Sequence, residues 1–113
     1  MKVYLTGGTG FLGNQIIRDL DKNSLIDTVY IPVRDKYKLK GHERFKQIIK
    51  PLSDKTQYIA INENIPGDVD VIVLNAYSVS FTADFDKSID ENVKPIINLL
   101  DQASLINGLK KVI

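Results

Sequence analysis

The sequence has no cysteine, no tryptophan, one methionine and one histidine, His42. Without cysteine there is no disulfide framework, no thiolate metal site and no cysteine nucleophile. A single histidine excludes multi-histidine metal centres, and His42 has no carboxylate or second histidine at ligand spacing, so no metal site is expected. Excess charge is also missing. Fifteen basic residues against fourteen acidic ones leave a net charge of +1, which gives no general pull toward nucleic acid or an anionic membrane. No apolar run approaches the ~18 residues of a membrane span. The N-terminus, "MKVYLTGG", enters a strand pattern at once and lacks the separate apolar core and cleavage site of a signal peptide. The expected location is the cytoplasm. What remains is an ordinary soluble composition, 43% apolar and 26% charged, over 113 residues. That is the size of a single domain, residues 1–113, with one hydrophobic core.

Against this plain background stands "LTGGTGFLGNQII", residues 5–17. Four glycines fall within seven residues, although glycine weakens both helices and strands. The stretch follows strand-like "KVYLT" and opens a segment with Leu12, Ile16, Ile17 and Leu20 at helical spacing. Two spacings overlap in it. Gly8, Gly10 and Gly13 fit G-x-G-x-x-G, and Gly7, Gly10 and Gly13 fit G-x-x-G-x-x-G. Both meet the same demand. One glycine allows a sharp strand-to-helix turn, a second lets a phosphate approach the backbone, and Gly13 lets the helix pack tightly on the strand. The amides of Thr9, Gly10, Phe11 and Leu12 are then expected to face a pyrophosphate at the positive end of the helix. A glycine pattern alone is weak, but strand, turn, helix and second strand follow here in the order a dinucleotide site requires.

The rest of the chain continues the alternation. Residues 27–33, "DTVYIPV", read as a second strand, with Pro32 as a blemish. "GHERFKQIIK" reads as a helix stopped by Pro51, "TQYIAI" as a third strand and "VDVIVLN" as a fourth. Ile89, Val93, Ile96, Ile97, Leu100 and Ala103 have helical period, with Ser88 and Glu91 spaced as a capping box. Asp84 or Asp86 could begin that helix earlier, and Pro95 would then kink it. "NG" at 107–108 ends it, and "LKKVI" opens a fifth strand. The expected fold is α/β: a Rossmann-like, doubly wound parallel sheet of strand order 3-2-1-4-5 between two helix layers. Its ligand crevice would lie at the carboxyl ends of strands one and four.

The end of the second strand bears on cofactor choice. An acidic residue there binds the ribose hydroxyls of NAD, whereas arginine accepts the 2′-phosphate of NADP. "VRDKYK" offers both. Arg34 comes first and Lys36 and Lys38 reinforce it, which favours NADP, while Asp35 keeps NAD open.

"LTGGTGFLGNQII" with "VYIPVRD" resembles the start of an extended short-chain dehydrogenase/reductase. Within that superfamily, "VDVIVLNAYSVSFTADFDKSIDENVKPIINLLDQAS" resembles the fatty acyl-CoA reductase branch, also called male-sterility or thioester-reductase proteins. The resemblance implies that Gly7, Gly10 and Gly13 form the phosphate turn and that Arg34 binds the adenosine 2′-phosphate. It also implies that Asn75 and Ala76 line the cofactor's ribose and that Asn92 is the asparagine of the branch's "NV" motif. Asn64, Leu74, Tyr77 and Pro95 depart from the branch pattern. The implied parent activity is NADPH-dependent reduction of an acyl thioester to aldehyde or alcohol.

The family's catalytic Tyr-x-x-x-Lys is missing. Tyr4, Tyr30, Tyr37, Tyr58 and Tyr77 are followed four residues later by Gly8, Arg34, Gly41, Asn62 and Phe81. No catalytic residue is therefore assigned. The chain is expected to bind a dinucleotide without transferring hydride, as the cofactor-binding part of a longer reductase. Two alternatives are a relative acting on nucleotide-sugars or small carbonyls, and a non-catalytic NADP-binding sensor.

Overall fold

The computed structural model describes residues 1–34, 55–76 and 84–113. Strands β1 (Lys2–Leu5), β2 (Thr28–Val33), β3 (Thr56–Ala60), β4 (Val71–Val73) and β5 (Lys111–Val112) form one parallel sheet. Its order is β3-β2-β1-β4-β5, as the alternating pattern predicts. Helix α1 (Phe11–Lys22) connects β1 to β2. A second helical stretch precedes β5. It begins as α2 (Phe85–Ser88), passes through a π-helical turn (Ile89–Val93) and ends as α3 (Lys94–Ala103).

The chain leaves the sheet centre in opposite directions from β1 and β4. Right-handed crossovers then place the helices on opposite faces. Alternation within β1 displays this. Val3 and Leu5 join Ile17 of α1 with Val29, Ile31 and Val33 in one core, while Tyr4 joins Ile72, Val69 and Ala103 in the other. Strands buried on both faces need continuous apolar runs, which "VYL" and "VIV" supply.

Pro32 lies within β2, which is flanked on both sides, a position that normally excludes proline. The neighbouring hydrogen bonds explain it. Val29 N–H donates to Lys55 and Val33 C=O accepts from Ile61, so these residues face β3. Alternation turns the Pro32 nitrogen toward β1, but pairing with β1 ends at Tyr4 opposite Tyr30. The missing donor falls where β1 has already turned away.

Two expectations for the last helix change. The Ser88–Glu91 capping box does not form, because Ser88 is already helical and makes no side-chain cap. The helix starts instead at Asp84, whose carboxylate accepts from the Asp86 amide at 3.3 Å. Pro95, placed in the interior as that earlier start implies, is accompanied by a π turn. Lys94 N–H donates back five residues, to Ile89 C=O. One widened turn upstream accommodates the ring and the missing donor.

At the amino ends of the strands, carboxylates tie the sheet together. Asp70 accepts from the Lys2 amide at 2.8 Å and lies 3.6 Å from the Lys110 ammonium. Asp68 pairs with Lys2 and accepts from the Tyr30 hydroxyl. Asp27 pairs with the N-terminal ammonium at 2.6 Å. The Lys2 amide holds the Asp70 pKa below its ordinary value, the Lys2 ammonium does so for Asp68, and the chain terminus does so for Asp27. A carboxyl depressed in the folded state stabilises it above the unfolded value, near 3.8. That contribution disappears as pH falls through the lower folded value. Denaturant midpoints should therefore drop as pH is lowered below about 4, and Asp70→Asn should flatten that drop.

Candidate functional site

The winding direction reverses between β1 and β4, which pair from Val3–Val71 to Leu5–Val73. In open α/β sheets the crevice beyond such a pair is where ligands bind. Three segments meet there: the glycine turn, the start of α1 and residues 74–76.

The structure distinguishes the two overlapping glycine spacings. Gly7 has φ +65°, the left-handed region that side chains disfavour, and a Cβ there would lie 2.7 Å from the Asn75 carbonyl oxygen. Gly13 sits where α1 presses on the turn, and a Cβ on it would stand 2.0 Å from the Gly7 carbonyl oxygen. Among the described residues, Gly10 would meet only that same oxygen, at 3.3 Å. Gly7-x-x-Gly10-x-x-Gly13 is thus the spacing with the geometric roles. Gly8 serves the core instead, packed against Ile31 and Ile17.

One expectation about the amides is corrected. Gly10 N–H closes the turn onto Gly7 C=O at 3.0 Å, so it is engaged within the protein. Phe11 and Leu12 open the helix, with exposed side chains and main-chain amides in its first turn. Thr9, half-buried, sits in the turn before them.

The N-terminus of α1 carries no compensation of its own. Its N-cap is Gly10, with no side-chain cap, and its first turn holds no acidic residue. Helix starts usually recruit Ser, Thr, Asp or Asn to satisfy their amides, as α2 recruits Asp84 in this chain. An uncapped start beside a Cβ-free surface suits an anion, which the amides and helix dipole would hold. The residues present therefore fit a pyrophosphate.

A contributor that sequence reasoning missed is Thr6. Its hydroxyl accepts from the Asn75 amide at 2.9 Å and the Ala76 amide at 3.1 Å, and lies 3.4 Å from Val73 C=O as a donor. The Asn75 side chain donates to Gly7 C=O at 3.4 Å. One hydroxyl thus fastens the end of β4 to the glycine turn and fixes both walls of the crevice. The sequence signal was a threonine at the strand end directly before the glycines. Its partners lie some seventy residues away and cannot be read from it. Thr6→Val keeps the shape but leaves two amides without their acceptor. It should destabilise the fold by about 1–3 kcal/mol in denaturant unfolding, while Thr6→Ser should stay near wild type.

Arg34 directly follows β2, exposed at the carboxyl end of the sheet, and its side chain makes no hydrogen bond or ion pair with the described residues. Asn64 lies exposed in the loop after β3. Leu74 packs against the core on the α3 side. Asn92 lies half-buried in the π turn. Asp35, Lys36, Lys38, His42, Pro51, Tyr77 and the expected helix before Pro51 fall outside the described residues.

Comparison with known proteins bears on the family and the fold. A sequence family described as male sterility protein, an NAD-binding family, matches residues 5–63. A putative fatty acyl-CoA reductase of Drosophila melanogaster is 36% identical over 66 residues, 57% of this chain and 12% of the relative. A probable polyketide synthase of Dictyostelium discoideum is 32% identical over 134 residues, covering 98% of this chain and 4% of the synthase. The chain therefore spans a small part of the curated relatives it matches. Among solved structures, a thiolation-reductase di-domain from an archaeal non-ribosomal peptide synthetase superposes with TM-score 0.75 at 24% identity. That match covers 97% of this chain and 34% of the other. Gre2 of Candida albicans, solved with NADPH, gives TM-score 0.69 at 18% identity, covering 99% of this chain and 36% of Gre2. With residues 5–63, more than half of its length, matched, the chain belongs to the male sterility protein family, an NAD-binding family.

Proposed function

We propose that residues 1–113 are the dinucleotide-binding domain of a cytoplasmic, NADPH-dependent reductase that converts an acyl thioester to aldehyde or alcohol. The observation that carries the binding role is the uncapped start of α1 against the open face of Gly10. Bound NADPH would supply the hydride. The chain's own residues bind and orient: the first-turn amides of α1 hold the pyrophosphate, Thr6 keeps Asn75 and Ala76 against the ribose side, and Arg34 meets the 2′-phosphate.

Acyl thioester as substrate class draws on the relatives, a fatty acyl-CoA reductase and the reductase domains of peptide and polyketide synthases. The preference for NADP draws on Arg34, and Gre2 was solved with NADPH. Titration of this chain with NADPH and NADH tests the reading. Saturable binding with NADPH the tighter ligand is the expected result. Equal affinities would return the choice to NAD and Asp35, and no binding of either would remove the dinucleotide role. Acyl-CoA oxidising NADPH on the chain alone would overturn the assignment of hydride transfer to a longer parent.

A further inference from the structure

We propose that Asn107–Gly108, in the turn joining α3 to β5, is a site of spontaneous deamidation. Of the asparagines in the sequence, Asn107 alone is followed by glycine. The reaction needs the next residue's amide nitrogen to reach the asparagine side-chain carbonyl. That nitrogen loses its proton to hydroxide and bonds to Cγ. The side-chain nitrogen takes up a proton and leaves as ammonia, giving a five-membered succinimide. Water then opens the ring at either carbonyl, producing aspartate or isoaspartate. The net change consumes one water and releases one ammonia, with no oxidant or reductant.

The turn meets these requirements. Both residues are exposed. Gly108 has nothing within 4 Å of its missing Cβ, and its amide donates to no acceptor among the described residues. A single long hydrogen bond, Leu109 N–H to Ile106 C=O at 3.3 Å, closes the turn; Ile106 and Leu109 anchor its ends on the core, so rotation into attack geometry falls on the two exposed residues between them. At the exposed Asn62 and Asn64 the next residue's amide is engaged, Glu63 N–H with Ala60 C=O at 3.0 Å and Ile65 N–H with Gln102 Oε1 at 3.1 Å. The Asn23 side chain accepts from the Leu25 amide at 2.9 Å, and the Asn75 side chain donates to Gly7. Asn14 and Asn98 precede residues within α1 and α3, whose amides are committed to helical bonds.

The consequence is electrostatic and structural. A new carboxylate cancels the chain's net charge of +1, and molecules near zero charge associate more readily. Isoaspartate also adds a methylene to the main chain three residues before Lys110, whose amide donates to Asp70 C=O at 2.8 Å in the lead-in to β5. The proposal is independent of the dinucleotide reading.

The test is to age the chain at mildly alkaline pH, followed by peptide sequencing by mass spectrometry and isoaspartate detection with a methyltransferase. Residue 107 should convert before any other asparagine and yield isoaspartate. Gly108 has no positive φ and open space around it, so Gly108→Ala should fold normally. It should slow conversion by roughly tenfold or more, because a Cβ hinders the approach of the amide nitrogen. Faster conversion at Asn23–Ser24, or an unchanged rate in Gly108→Ala with an unchanged unfolding midpoint, would overturn the proposal.

Discussion

Gly13→Ala is expected to lose both stability and dinucleotide binding, whereas Gly10→Ala should lose binding alone. At residue 13 the new methyl would stand 2.0 Å from the Gly7 carbonyl oxygen and 2.7 Å from the Gly8 Cα. Both are backbone atoms, so relief requires α1 to move off the turn. A destabilisation of about 3 kcal/mol, the upper end for overpacking, follows from moving main chain rather than a flexible side-chain tip. At residue 10 the single near atom among the described residues is 3.3 Å away, so a shift of a few tenths of an ångström suffices there. The unfolding midpoint should barely change, yet the methyl occupies the surface that a phosphate would approach. A loss of NADPH affinity of roughly tenfold or more, about 1.4 kcal/mol, is expected by calorimetric titration. Gly10→Ala that binds normally would move the phosphate elsewhere. Gly13→Ala that is fully stable would show that α1 and β1 do not pack as described.

Arg34→Ala is expected to weaken NADPH by about 10- to 150-fold and to leave NADH nearly unchanged. The figure corresponds to the ~1.5–3 kcal/mol of a charge-assisted hydrogen bond. The guanidinium lies at the end of β2, exposed and without a partner among the described residues, so removing it breaks no structural contact there. Rising salt should erode the NADPH preference in the wild-type chain and leave it flat in the variant, because exposed charges are screened. Equal losses for both nucleotides would exclude Arg34 as the 2′-phosphate ligand.

Much of the scaffold was legible because local pattern and global fold agree. The periodicity of Leu12, Ile16, Ile17 and Leu20 placed a helix at 11–22, where α1 lies. The five expected strands all form, with β4 trimmed to Val71–Val73 and β5 to Lys111–Val112. The helix before β5 was harder. Ser88 and Glu91 have the spacing of a cap, but a cap needs a free helix start. Asp84 had already supplied one upstream. Pro95 implied a kink, and what the packed helix carries just upstream of it is a π turn. A kink and a π turn both answer a missing donor, and only the packed helix selects between them.

For this protein the sequence alone determined that a glycine turn joins a buried strand to an amphipathic helix, and that the sheet reverses its winding beside that turn. These follow from residue type and spacing within short windows, together with the right-handedness of crossovers. Tertiary structure decided that Gly7 and Gly13 abut backbone while Gly8 abuts the core, that the Gly10 amide is already committed, and that Thr6 clasps Asn75 and Ala76. The reason is distance along the chain. Whether a Cβ fits at Gly7, or a hydroxyl at Thr6 finds amides at 2.9 and 3.1 Å, depends on atoms about seventy residues away that only folding brings near.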